Sequence, residues 1–308
     1  MNRIGIVGFG KIANDQHVPA IAGSGAFELV AVASRSPVTL DGIPAFTDHL
    51  QMLREVDMSA VAVCTPPSVR YAIARDCLEA GKHVMLEKPP GVTLGEVAAL
   101  AQLAVAKGVT LMTTWHAQAN QAVAAAADAL REERIASVDI VWHEDVRKWH
   151  PGQAWIWEPG GFGVFDPGIN ALSIATRIVP ASLIVRGAKL SVPANKAMPI
   201  AAELELASPA VDGKIGVSLD WRYAQGERWT IDVVMASGQR LALTEGGARF
   251  AVEGEERARS QGGEYPQLYA EFAWLIASKA SHVDLEPLRI VADAFMLAER
   301  AQVEAFEG

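Results

Sequence analysis

The residues of this sequence able to do chemistry gather at the ends of short apolar runs. The first run, Ile4–Gly8, leads into Gly8-Phe9-Gly10-Lys11-Ile12-Ala13, which fits a GxGxxG/A pattern. Gly8 permits a tight turn after a strand, Gly10 lets the backbone approach a pyrophosphate, and Ala13 lets the next helix pack close to a sheet. The helix N-terminus adds free N–H groups and partial positive charge for the phosphates. A second run closes on Ala33-Ser34-Arg35-Ser36. NAD-specific sites place Asp or Glu there for the ribose hydroxyls. Arg35 can instead pair with a 2′-phosphate and Ser34 can donate to it, so NADP is expected to bind at least as well as NAD. The competing reading is a solvated surface arginine. A third run ends in Cys64-Thr65-Pro66-Pro67, either a rigid rim lining the nicotinamide ribose or a plain turn. The fourth ends in Glu87-Lys88-Pro89-Pro90. Lysine is a mobile donor whose pKa falls readily on burial. Lys88 is either a surface lysine before a proline turn or the group that hydrogen-bonds a substrate alcohol oxygen beside the nicotinamide.

Those runs need a scaffold that brings their ends together. Strand patterns at Ile4–Gly8, Leu29–Ala33, Ala60–Cys64, His83–Leu86 and Thr110–Thr114 alternate with helical patterns at Lys11–Ile21, Val69–Ala80 and Leu94–Lys107. This order predicts an α/β, Rossmann-type domain over residues 1–118, built on a doubly wound parallel sheet. Right-handed crossovers then put every strand C-terminus on one edge, where all the groupings above fall. The style changes over residues 119–308. An alanine-rich helix at Ala122–Arg134 is followed by strand-like runs at Val138–His143, Leu183–Val192, Ala201–Leu206, Lys214–Trp221, Trp229–Met235, Arg240–Thr244 and Ala248–Val252. They predict an α+β domain with an open, mostly antiparallel sheet, for substrate binding and oligomerisation. Tyr269–Ser278 and Leu288–Phe306 read as closing helices, the last able to pack back on the first domain.

Composition narrows the function classes. A chain of 308 residues suits about two domains. Half its residues are apolar, which excludes a disordered chain. No run approaches the roughly 20 apolar residues of a membrane span, and the start lacks the apolar core of a signal peptide. With 27 basic and 36 acidic residues, the net charge of −9 disfavours nucleic acid and anionic lipid as partners. The two cysteines, Cys64 and Cys77, fit no zinc pattern and read as free thiols in a reducing cytoplasm. Strand alternation would put His143 and Asp145 on one face and Glu144 on the other; His150 brings no compact second ligand group, so no metal site is expected. No GxSxG elbow supports a nucleophilic serine.

Gly8–Ala13, Thr65-Pro66-Pro67 and Glu87-Lys88-Pro89, in this order and spacing, resemble the glucose–fructose oxidoreductase / inositol dehydrogenase / rhizopine-catabolism (Gfo/Idh/MocA) family. The resemblance continues into Gly160-Gly161-Phe162-Gly163-Val164-Phe165-Asp166-Pro167-Gly168-Ile169-Asn170, similar to the family's glycine-rich segment before a helix carrying Asp and, four residues later, His. It implies an often cis Lys88-Pro89 peptide, Lys88 beside nicotinamide and substrate, and a catalytic set of Lys88, Asp166 and Asn170. Asn170 stands in place of the usual His. An amide neither gains nor loses a proton near neutrality, so the proton-accepting role moves to Asp166 and Asn170 holds a sugar hydroxyl. Arg70 stands where many members carry His, and the sequence offers no reading of that change.

The Asp…Asn variant, with Lys148–Gln153 and Trp155–Gly161 before it, is similar to bacterial aldose 1-dehydrogenases of this family that act on L-arabinose and D-galactose. These sugars share ring stereochemistry and differ by one hydroxymethyl group. Five of the eight tryptophans, Trp115, Trp142, Trp149, Trp155 and Trp157, fall close together. Flat indoles suit pyranose C–H faces, although core packing is expected for at least half of them. Trp149 is assigned to the substrate. His116, at the end of the fifth strand, either touches sugar or nicotinamide or is structural.

The resulting expectation is NAD(P)-dependent oxidation of an aldose at C1 to the lactone. The cofactor set is Gly8, Phe9, Gly10, Lys11, Ile12, Ser34, Arg35, Cys64, Thr65, Pro66, Glu87 and Lys88. The substrate set is His116, Trp149, Asp166 and Asn170. This chemistry requires Lys88 and Asp166 to reach the same substrate. The alternatives are an NADPH-dependent reductase of another sugar or carbonyl compound, or a non-catalytic sugar or NADP sensor. An open sheet face needs covering, so a homo-oligomer is expected.

Overall fold

Ala60–Val63 is apolar and buried at every position, as in a strand covered on both faces. In the computed structural model, which describes residues 1–307, this segment lies inside a six-stranded, all-parallel sheet. Its strands are β1 (Asn2–Val7), β2 (Phe27–Ala33), β3 (Ala45–Phe46), β4 (Ala60–Val63), β5 (His83–Leu86) and β6 (Leu111–Thr113), in the order β3-β2-β1-β4-β5-β6. The strand order reverses between β1 and β4, which opens a crevice at the carboxyl ends of those two strands. Helices α1 (Val18–Ser24), α2 (His49–Glu55), α3 (Pro67–Glu79) and α4 (Leu94–Lys107) connect the strands. A capping box sets the start of α4: Thr93 accepts from the Glu96 N–H while Glu96 reaches back to the Thr93 N–H.

The chain divides into two compact units. The first joins Met1–His116 with Gly262–Leu285, and the second joins Ala117–Gln261 with the chain from Glu286 onward. The returning segment brings α8 (Tyr265–Ser278) against α1 in the first unit. Phe27 stacks on Phe272 at 5.6 Å and meets Tyr269 edge-on at 5.5 Å, so α8 seals one apolar flank of the sheet.

In the second unit, nine strands run in the order β14-β13-β12-β11-β7-β10-β9-β8-β15. They are β7 (Ile135–His143), β8 (Ile184–Pro193), β9 (Ala201–Ala207), β10 (Ile215–Asp220), β11 (Arg228–Met235), β12 (Arg240–Thr244), β13 (Arg249–Val252), β14 (Glu255–Arg259) and β15 (Ala298–Val303). Pairing is antiparallel except for β7–β10 and β8–β15. Helices α5 (Gln121–Leu130), α7 (Phe165–Ile178) and α9 (Glu286–Leu297) pack on this sheet, and α6 (Val146–Trp149) is a single turn after β7.

Three local features depart from the sequence expectation. The final helix stops at Leu297, and Ala298–Val303 pairs in parallel with β8 instead of continuing it. Ala, Glu, Arg and Gln favour helix, but the open edge of β8 supplies a row of unpaired backbone groups that overrides a preference of tenths of a kcal/mol per residue. The helix after the glycine loop contains a π-helical segment, Ala13–His17, before α1. It turns His17 fully inward. Short elements at Ala45–Phe46, His49–Glu55 and Glu255–Arg259 carried too little periodicity to be read from sequence. No helix among the described residues is long and apolar enough to cross a membrane.

Candidate active site

The glycine loop sits at the β1–β4 crevice. Gly8 has φ 89°, and a Cβ there would lie 2.7 Å from the Thr65 nitrogen and 2.8 Å from the Cys64 carbonyl carbon. Backbone sign and close approach both demand glycine. Gly8→Ala should therefore destabilise the protein by roughly 2 kcal/mol or more and weaken NAD(P)H binding; urea midpoints and a nucleotide titration check this. Nothing lies within 4 Å of a Cβ built on Gly10, which leaves room there, and Ala13 is fully buried. Phe9 is half-buried, Lys11 pairs with Asp15, and Ile12 is exposed. Ser34 and Arg35 follow β2; the Ser34 N–H donates to the Phe46 carbonyl at 2.9 Å, and Arg35 is exposed. Cys64, Thr65 and Pro66 follow β4. The Thr65 hydroxyl is buried without a hydrogen-bond partner, a group that a ligand can satisfy.

Glu87 and Lys88 follow β5, and the Lys88-Pro89 peptide is cis. A buried charge cluster surrounds them. The Glu87 carboxylate accepts from His17 Nε2 at 3.0 Å, from the Tyr265 hydroxyl at 2.8 Å and from the Lys88 backbone N–H at 2.9 Å. Burial alone would raise its pKa, but the hydrogen bond and charge of His17 win and hold it at about 2. Burial likewise opposes a charged His17, yet Cys64, whose sulfur lies 3.5 Å away, and Glu87 push it up to about 10. His17 Nδ1 meets the Tyr269 hydroxyl at 2.7 Å. His116, after β6, lies 2.5 Å from Glu264 and stacks on Tyr265. Burial lowers its pKa, the Glu264 charge raises it, and the net shift is upward. Arg70, left unread by sequence, is buried on α3. Its guanidinium donates to the backbone carbonyls of Thr65, Glu87 and Pro89, tying the two rim segments together.

The second unit supplies a separate constellation. Asp166 is 4% exposed in the first turn of α7, and Asn170 lies one turn later on the same face. Gly168, between them, lets α7 sit close to β10: a Cβ there would come within 2.5 Å of Leu219. His150, which the sequence placed in the Lys148–Gln153 segment without a role of its own, has its Nε2 3.5 Å from Asp166 Oδ2. Its ring rests against fully buried Trp221 at 5.3 Å. Trp149 is 41% exposed and packs on Trp229 at 5.5 Å. Buried Glu144 accepts from the indoles of Trp221 (3.2 Å) and Trp229 (2.9 Å), so one carboxylate fixes both supporting rings. His143 meets the Ser218 hydroxyl at 2.9 Å, and Asp145 caps α6. Among the described residues, no group of three or more His, Cys, Asp or Glu is placed to hold a metal.

Thus the residues that the sequence assigned to a cofactor lie at the carboxyl edge of one parallel sheet, while in the other unit Asp166 lies beside His150 and Asn170 follows one turn later on α7. Residues 2–115 match the Gfo/Idh/MocA oxidoreductase family, NAD-binding Rossmann fold. Over 305 residues the chain is 44% identical to galactose 1-dehydrogenase from Pseudomonas fluorescens, covering 99% of this chain and 98% of that protein. The chain belongs to the Gfo/Idh/MocA oxidoreductases. The solved structure of D-galactose-1-dehydrogenase from Rhizobium etli superposes with a TM-score of 0.93 at 46% identity, covering 99% of this chain and 97% of that one. A 3-ketoreductase from Actinomadura kijaniata, solved with NADP and TDP-benzene, shares the fold alone, with a TM-score of 0.83 at 19% identity over 98% and 99% of the two chains. The family's dinucleotide fits the residues present: an open Gly10, a positive-φ Gly8 and an unpartnered buried Thr65 hydroxyl all lie at the strand-order reversal.

Proposed function

We propose that this oxidoreductase converts an aldopyranose, D-galactose and its pentose counterpart L-arabinose, to the 1,5-lactone. The observation that carries the reading is the 44% identity with galactose 1-dehydrogenase across nearly the whole of both chains. That similarity includes the second unit, whose residues differ most between substrates of a common cofactor fold. When bound, the nicotinamide accepts the hydride leaving C1. The protein's own residues handle the proton and the position. Asp166 takes the proton of the anomeric hydroxyl, with the His150 ring beside it at 3.5 Å. Lys88 donates to the same oxygen, and Asn170 holds a neighbouring hydroxyl. Trp149 offers an indole face to the ring, and His116, fixed by Glu264, contributes a further polar contact. The test is a panel of aldoses and ketoses with NADP⁺, NAD⁺ and NADPH, followed by identification of the product. A lactone from galactose or arabinose supports the reading; turnover of ketoses with NADPH alone would replace it with a reductase.

The cofactor preference rests on Arg35, exposed just beyond β2 with no acidic residue beside it. We assign it to the 2′-phosphate of NADP. Arg35→Ala should weaken NADP⁺ binding by roughly 10- to 100-fold, the worth of a charge-assisted hydrogen bond, and leave NAD⁺ binding nearly unchanged. Equal loss for both nucleotides would remove the assignment. Two free thiols and a nicotinamide-dependent reaction fit the cytoplasm, and we expect copies of the chain to associate through the second sheet.

A further inference from the structure

The cluster behind Lys88 is larger than a strand end requires. It unites a histidine from a π-helical segment, a carboxylate beside Lys88, and two tyrosines from a helix about 180 residues further along the chain. Burying an ion pair is costly, and a packed apolar set is often as stable or more so. Stability alone is therefore a weak account of it.

We infer that Glu87 is a positioning residue for Lys88, with His17 and Tyr265 holding its carboxylate in place. The Lys88 peptide is gripped on both sides. Its N–H donates to Glu87 Oε2 at 2.9 Å, and the carbonyls of Glu87 and Pro89 accept from Arg70. While Oε2 accepts the Lys88 N–H, Oε1 is engaged by His17 at 3.0 Å and Tyr265 at 2.8 Å, which fixes the carboxylate plane. His17 in turn is fixed by Tyr269 and by its place on the helix that begins at the glycine loop. The arrangement makes the placement of one catalytic side chain depend on the cofactor loop and on α8 together. It rests on the role of Lys88 proposed above.

Glu87→Gln keeps the side-chain shape, but three donors then face a single acceptor oxygen and an amide that itself donates. Turnover should fall roughly 100-fold, the scale of a displacement near one ångström at a reacting centre. The KM for galactose and the Kd for NADPH should stay within about threefold, since ground-state binding is not what the group supplies. Tyr265→Phe removes one donor and keeps the charge, and should fall between wild type and Glu87→Gln. Glu87→Asp, which restores the anion, should recover part of the loss. A crystal structure of Glu87→Gln should show the Lys88 peptide or ammonium displaced; this readout needs no substrate. An undisplaced Lys88, or kcat equal to wild type in both Glu87→Gln and Tyr265→Phe, overturns the inference. Wild-type protein inactive on every sugar would overturn the functional reading instead, and the crystallographic comparison would still decide the role of Glu87.

Discussion

Asp166→Ala should lower galactose turnover by roughly 100- to 10,000-fold, the usual worth of a positioned general base, while NADPH binding stays intact. Asp166 sits 4% exposed at the start of α7, beside His150 and one turn before Asn170. Asn170 cannot substitute for it, because an amide does not accept a proton near neutrality. Asp166→Asn is the sharper variant: it keeps size and hydrogen bonding but removes basicity. Steady-state kinetics with a nucleotide titration separate the two contributions, and near-wild-type turnover in either variant would remove Asp166 from the reaction.

Lys88→Met should cost roughly 100- to 1,000-fold in kcat, as expected when one preorganised donor to a developing oxyanion is lost. Methionine keeps the aliphatic stem, so packing beside Pro89 is conserved and the loss reports the ammonium. If Lys88 and Asp166 serve one oxygen, their losses will not add: the double variant should be little worse than the poorer single one. Fully additive losses would mean that the two groups act in separate events.

The dinucleotide half was legible because its signals are local. Gly8, Gly10 and Ala13 fall within one six-residue motif, and the runs that form β1, β2, β4, β5 and β6 are short and apolar, with clear helical patterns between most of them. The cluster behind Lys88 was not legible for the opposite reason. His17 and Glu87 are 70 positions apart, Glu87 and Tyr265 are 178 apart, and no spacing rule links them. Arg70 looked like an unexplained change until the three carbonyls it binds were placed around it. His150 was visible as a residue but not as a neighbour of Asp166, since its approach depends on how Trp221 packs beneath it. The C-terminal segment misled because its composition favours helix, while its fate is decided by β8, over a hundred positions earlier.

The return of residues 262–285 to the first unit sets an order on synthesis. A ribosome releases the glycine loop first, yet the tyrosines that close over His17 and Glu87 emerge only after the whole second sheet except its last strand. Until then the nascent nucleotide lobe carries a buried-type ion pair with two of its partners missing and Phe27 uncovered. A gene fragment ending at His116 would encode that unfinished species, with the bare apolar flank that draws chaperones and aggregation. The lobe that is begun first is thus completed nearly last.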